Sequence, residues 1–351
     1  MFSERLRLAR KRAGLSLRDL ASTAGNVVTA QAIGKYERGE MSPGSTVVLA
    51  LGKALGVPTS FFFSPTEIRI DDVKFRKKAS TRIKEQARVK ADVFDFVGRY
   101  LLIEEVLGIG SHEWDRPRGT PFRVNSLDGA EEAAEKVRQG WNLGGDPIPD
   151  MVDLLEERRI KVVVLDDTVS VDGLSCEVIR SGRQGRIPVI VASGGKTVER
   201  WRMTLAHELG HLVMEIGPEI EEEKTARRFA SAFLMPRKAL LDEIGARRHS
   251  FGYTELIQIK SIFGVSAAAL IVRLRDLDVI SEAVMVSVFR GIGRTWRREE
   301  PVPLAKKEAP QRFHRLVLRA LAEEAISLPK ASELLRVRTS EVLRDMTGTG
   351  A

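Results

Sequence analysis

Val198-Glu-Arg-Trp-Arg-Met-Thr-Leu-Ala-His207-Glu208-Leu209-Gly210-His211-Leu-Val-Met-Glu215 is the stretch that decides how this chain is read. Trp201, Leu205, Leu209 and Leu212 recur at helical spacing, which predicts a helix over 198–215 with an apolar stripe facing a core and Thr204, His207, Glu208 and His211 on the adjoining face. Residues four apart share a helix face, so His207 and His211 can offer imidazole nitrogens to one metal ion while Glu208 stands beside it as a carboxylate base. Zinc held by three protein ligands keeps a fourth position for water, and this is the physical logic of the H-E-x-x-H pattern. Gly210 is a poor helix former and is expected where another chain segment or substrate must come close.

A third ligand is sought in the acidic run Glu219, Glu221, Glu222, Glu223, which precedes a second helix expected over 221–235 with the stripe Ala226, Phe229, Ala230, Phe233, Leu234. At about 100° per residue Glu221 points away from that stripe, whereas Glu222 and Glu223 flank it nearly symmetrically. Spacing leaves both open. The same acids also suit the positive end of a helix.

Upstream, residues 127–141 and 148–159 read as helices and the β-branched runs 161–165, 174–179 and 188–192 as strands of a small antiparallel or mixed sheet. Residues 1–63 read as short helices over 2–13, 16–24, 29–38 and 44–55, ending on Phe61, Phe62 and Phe63. Between them 69–90 is strongly basic, 83–107 has the length and periodicity of one long helix, and 108–121 is rich in Gly, Pro and charge. Beyond 245 the pattern is helical again, over 253–263, 266–277 and 311–346.

Composition excludes several classes. The 351 residues are 43% hydrophobic and 30% charged, the values of an ordinary globular chain, and no window has the apolar length of a membrane span. The single cysteine, Cys176, excludes an internal disulfide and a thiolate metal cage, so any metal must take nitrogen and oxygen ligands; Cys176 itself reads as a buried strand residue. The N-terminus lacks the apolar core of a secretory signal, and the chain is expected in the cytoplasm. Much of the net charge of +8 sits in residues 1–63, where nine Lys and Arg face four acids. That points to a polyanionic partner. Arg76, Lys77 and Lys78 are candidate phosphate contacts, although a solvated basic face explains them as well.

The segment Arg202 to Leu212, followed by Glu223 to Ala226, Phe229, Ala230 and Leu234-Met235-Pro236, with Pro147-Ile148-Pro149 and Leu154-Leu155-Glu156 upstream, resembles the ImmA/IrrE metallopeptidases. These are bacterial zinc peptidases that cleave helix-turn-helix repressors. The resemblance covers about residues 130–245 and implies a zincin-like, gluzincin-type fold, a Zn2+ cofactor, and Glu223 as the third ligand, thirteen positions before Pro236. Thr225 and Arg227 depart from the pattern, since family members commonly carry an acid at the first position and Asn or Asp at the second. His249, the nearest other histidine, is a weak candidate for oxyanion stabilisation.

In the N-terminal region Leu17, Leu20 and Ala21 precede a long turn at 24–28, Thr29 serves as N-cap, and 30–38 follow as a second helix, the order of a helix-turn-helix. With Ile33 and Tyr36 inward, Thr29, Ala30, Gln31, Gly34, Lys35 and Arg38 are the candidate DNA-contacting residues, Gln31 suited to an adenine edge and Lys35 to phosphate or guanine. Ile33 to Glu40, with Pro43 and Leu55-Gly56-Val57-Pro58, is similar to the XRE (Cro/CI-type) family. That resemblance implies an operator partner and, through paired half-sites, a homodimer.

The expected architecture is α+β and mainly helical: a five-helix XRE domain over 1–64, a basic helical linker over 65–120, a peptidase domain with a small sheet over 121–245, and a helical region over 246–351. The expected function is a DNA-binding regulator with a zinc endopeptidase that cuts a repressor or a toxin-like partner in a stress, mobile-element or toxin–antitoxin response. The alternative is an XRE repressor or antitoxin whose peptidase-like domain is a non-catalytic sensor or partner-binding scaffold.

Overall fold

A computed structural model of the chain describes residues 2–57, 59–63, 68–71, 83–110, 114–165, 172–180, 186–305 and 307–348. The basic triplet Arg76, Lys77, Lys78 lies outside the described residues. The chain divides into two units, one of residues 1–112, 177–187 and 311–351, the other of 113–176 and 188–310.

The first unit begins with helices that follow their capping residues. After α1 (Phe2–Ala13), Ser16 and Asp19 close a capping box on α2 (Leu17–Thr23), and the Thr29 hydroxyl accepts from Ala32 N at 3.2 Å to start α3 (Ala30–Arg38). The helices α4 (Ser45–Leu55) and α5 (Thr59–Phe63) complete the module around Leu6, Leu20, Ile33, Leu51 and Phe62, all fully buried. Arg10 grips Glu37 at 2.6 and 2.8 Å and so ties α1 to α3. Then follow β1 (Ile68–Asp71) and α6 (Ile83–Val106).

In the second unit β2 (Phe122–Val124), α7 (Leu127–Gly140) and α8 (Met151–Glu157) lead into β3 (Lys161–Leu165), β4 (Gly173–Arg180) and β5 (Arg186–Ser193). The strand order is β1-β4-β5-β3, with β3 and β5 parallel in register Lys161↔Val189 to Leu165↔Ser193. The end of β4 belongs to the first unit, where it pairs antiparallel with β1 from Ile68↔Arg180 to Asp71↔Glu177. The sheet is therefore mixed. Next come α9 (Val198–Val213), β6 (Met214–Ile216), α10 (Glu222–Leu234), α11 (Arg237–Ile244), α12 (Tyr253–Phe263), α13 (Ala267–Asp276) and α14 (Glu282–Arg290).

One core receives the apolar stripes of these helices: Ala134 and Val137 from α7, Leu205 and Leu209 from α9, Phe229 and Phe233 from α10, Leu270 and Leu274 from α13. The helix expected to reach Glu215 stops at Val213. Met214 turns to extended backbone (φ −112°, ψ 143°), and β6 pairs in parallel with β2. Strand pairing there claims Met214 and Glu215, which helical periodicity alone assigns to α9.

The last helices, α15 (Arg312–Ala322), α16 (Leu328–Leu335) and α17 (Thr339–Thr347), return to the first unit. Phe313, Val317, Ala331, Leu334 and Val342 pack against Tyr100 and Ile103 of α6. The stretch 246–351, taken from sequence as one helical region, is thus shared: α12–α14 bury Leu256, Phe263 and Leu270 in the second unit, and α15–α17 bury their stripes in the first. Among the described residues no single helix is long and apolar enough to cross a membrane.

Candidate metal centre and candidate nucleic-acid interface

The geometry of the metal-ligand candidates starts at Gly210. A Cβ there would lie 2.8 Å from Phe229 Cδ1, so the absence of a side chain lets α10 lie close on α9. Close approach was the expectation for this glycine, and Phe229 is the segment that makes it. Across the contact, one ligand atom each from His207, His211 and Glu223 lie within 4.8 Å of one another. Glu223 Oε2 is 3.4 Å from His207 Nε2, whereas Glu222 Oε1 is 3.3 Å from His211 Nδ1. The two acids that periodicity left level have different neighbours: Glu223 joins the two histidines in the cluster, and Glu222 stands against Nδ1 of His211.

The His211 side chain is 5% exposed, and its Nε2 is buried with no hydrogen-bond partner. A buried polar atom without a partner costs roughly 1–3 kcal/mol, and a cation among the three ligand atoms would answer it. Two imidazoles and one carboxylate also make up a zinc donor set that leaves a position for water. The residues present therefore fit the metal.

Glu208 is 2% exposed and lies against the start of β4. A Cβ on Gly173 would come 3.1 Å from Glu208 Oε1, 3.2 Å from its Cγ and 2.6 Å from Thr204 Cγ2. Asp172 pairs with Lys196, and with Arg200 at 3.5 Å. Arg200, Thr204 and Glu208 are successive turns of one α9 stripe, so Asp172 and Gly173 lay the beginning of β4 along it. Sequence reasoning missed this contact. The one available signal was an Asp-Gly pair at the mouth of a strand.

Thr225 and Arg227 do not enter the cluster. The Thr225 hydroxyl donates to Glu221 O at 2.9 Å, and Arg227 is exposed with its Nε donating to Glu223 O at 3.2 Å. His249 is exposed, and Cys176 is buried within β4.

The first half of α9 is held by buried charge. Lys260 and Glu199, both fully buried, pair at 2.7 Å; Lys260 also reaches Glu300 at 2.8 Å and the carbonyls of Pro301 and Val302. Burial opposes the charge on Glu199, but the Lys260 ammonium and the Leu304 amide outweigh it and hold the carboxyl below its usual range. Three residues on, Arg202 pairs with Glu308 and donates to Ile148 O at 2.6 Å.

On the helix-turn-helix, Thr29, Gln31, Lys35 and Arg38 are exposed along α3. The other two expected contact residues lie deeper. Gly34 is buried, and a Cβ there would meet Leu17 Cδ1 at 3.6 Å and Arg38 Nη1 at 3.3 Å. Ala30 is half-buried and packs on the module's core. The turn absorbs its extra length with Gly25 and Asn26 both left-handed (φ 71° and 55°), leaving Val27 exposed and Val28 buried. Arg38 is engaged by Glu40 at 2.5 and 3.0 Å.

Residues 6–62 match the family described as helix-turn-helix, and residues 155–275 match the peptidase family described as the IrrE N-terminal-like domain. No curated protein and no solved structure matches the chain. The class is thus a DNA-binding type of domain joined to a peptidase-type domain with a His-His-Glu cluster. In particular, the chain carries an N-terminal helix-turn-helix domain of XRE type over residues 6–62 and an IrrE N-terminal-like domain over residues 155–275.

Proposed function

We propose that the chain is a zinc-dependent endopeptidase tethered to DNA, which cuts a repressor or a toxin-like partner met at or near an operator and so switches transcription in a stress, mobile-element or toxin–antitoxin response. What carries this reading is the convergence of His207, His211 and Glu223, with the buried, unpartnered His211 Nε2, one turn from the buried carboxylate of Glu208. His207, His211 and Glu223 would hold the metal. Zinc supplies Lewis acidity, polarising a scissile carbonyl and making water a nucleophile near neutral pH. Glu208 takes a proton from the attacking water on its carboxylate and hands it to the nitrogen of the leaving amine. Thr29, Gln31, Lys35 and Arg38 present α3 to DNA, Gln31 towards a base edge and the two cations towards phosphates.

The test compares new protein N-termini in cells producing the natural chain and cells producing Glu208→Gln. The natural chain should generate termini inside a helix-turn-helix repressor or a partner encoded beside its gene. Glu208→Gln should keep its zinc and lose roughly 10²–10⁴-fold of that cleavage. A Glu208→Gln protein that cuts at the natural rate, or a natural chain purified without stoichiometric zinc, defeats the proposal.

A further inference from the structure

We infer that Glu222 is the residue that orients His211 for the metal, a positioning residue distinct from the ligand Glu223; the inference rests on the zinc reading above. Its basis is the division of labour at His211. Glu222 Oε1 stands 3.3 Å from Nδ1, while Nε2 is buried without a partner. An imidazole offers a metal only the nitrogen that carries no proton. A carboxylate against Nδ1 keeps the proton there, leaves Nε2 as the lone-pair donor, and fixes the plane of the ring.

The neighbouring residues of α10 leave this task to Glu222. Thr225 spends its hydroxyl on the Glu221 carbonyl, Arg227 lies in solvent against the Glu223 carbonyl, and Glu223 itself is at His207. Glu222 is the first residue of α10 and its side chain is 55% exposed, so the contact is made from the rim of the cleft and little packing depends on it. The acid therefore serves the metal site more than the fold. Its general electrostatic effect at the helix N-terminus is shared with Glu221, which makes Glu221 the proper control.

The experiment measures zinc affinity of the full chain by competition with a chromogenic chelator, together with the visible spectrum of the Co2+ form and the thermal midpoint of the apoprotein. Glu222→Ala should weaken zinc by about 10- to 100-fold and alter the Co2+ spectrum, with the apoprotein midpoint unchanged. Glu222→Gln, whose amide oxygen can still face Nδ1, should recover part of the loss, and Glu221→Ala should bind as the natural chain does. Natural affinity in Glu222→Ala, or an equal loss in Glu221→Ala, overturns the inference while leaving the zinc reading intact. A natural chain that binds no zinc removes both, and the two failures are told apart by that single sample.

Discussion

The surface of α3 and the cleft between α9 and α10 are built on opposite principles. On α3 the proposed contact groups Gln31, Lys35 and Arg38 stand in solvent, Arg38 against the equally exposed Glu40. In the cleft Glu208 is 2% exposed, His211 is nearly as buried, and each polar group depends on a neighbour for its position. An exposed row of contacts contributes by addition and tolerates single losses. A buried constellation acts as a unit, and removing one support is felt by all of it. Substitutions ranked by expected effect should therefore descend from the support of α9 to the rim of α3.

The largest effect is expected at Lys260, which holds the first half of α9, the helix that carries the proposed ligands His207 and His211. Lys260→Met leaves Glu199 and Glu300 without their cation, and breaking a buried pair from one side costs about 3–5 kcal/mol. Chemical denaturation at neutral pH should show that loss. Its pH dependence follows from the lowered folded-state pKa of Glu199. A carboxyl whose pKa falls on folding contributes stability above its unfolded pKa, and that stability is lost as pH falls through the folded value. The gap between Lys260→Met and the natural chain should thus be full at neutral pH and narrow below pH about 4.3, the ordinary value for Glu. A gap constant down to strong acid would mean that the pair contributes packing only, and the cleft would lose its claim to depend on buried charge.

Next comes the contact of β4 with Glu208. Gly173→Ala places a methyl group against Oε1 and Cγ of Glu208, the proposed base, and against Thr204 Cγ2. Displacing a reacting group by about 1 Å can cost about 10²-fold in rate. The abundance of substrate-derived N-termini should fall on that scale while zinc content stays at one per chain. Unchanged cleavage would show that Glu208 does not use the position seen against Gly173, and the comparison would weaken on its buried side.

Periodicity and spacing made much of both regions legible. The stripe Trp201, Leu205, Leu209 and the His-Glu-x-x-His spacing specify α9 and its polar face because a single helix carries them all. Gly210 announced a close approach because a helix interior has no other use for it. Glu222 and Glu223 could not be parted, since both flank the α10 stripe and the difference lies in which histidine nitrogen each meets across the helix pair. Gly173 was invisible for the same reason: its meaning resides in a side chain 35 positions further along. The strands β1, β2 and β6 are three or four residues long, too short for an alternation to register, and exist through their partners. On α3 the periodic reading placed Gly34 outward, because a residue without a side chain carries no hydrophobic signal; α2 lies against it.

The smallest effect belongs to the rim of α3, where one acid stands beside the cations proposed to meet DNA. Glu40 holds the Arg38 guanidinium at 2.5 and 3.0 Å, both side chains exposed. A charge so placed competes with phosphate for the same guanidinium. Glu40→Gln should tighten binding to mixed-sequence duplex DNA and steepen the dependence of log affinity on log salt by about 0.9, the signature of one more phosphate contact. Lys35→Ala should flatten that dependence by about the same amount, uniformly across sequences. Fluorescence anisotropy over a salt series measures both slopes. If Glu40→Gln leaves affinity and slope unchanged, Arg38 does not reach the backbone, and the DNA-facing row on α3 shrinks to Gln31 and Lys35. Equal and opposite slope changes in the two variants are what independent, exposed charges require, and the buried cleft, whose members depend on one another, should show no such symmetry.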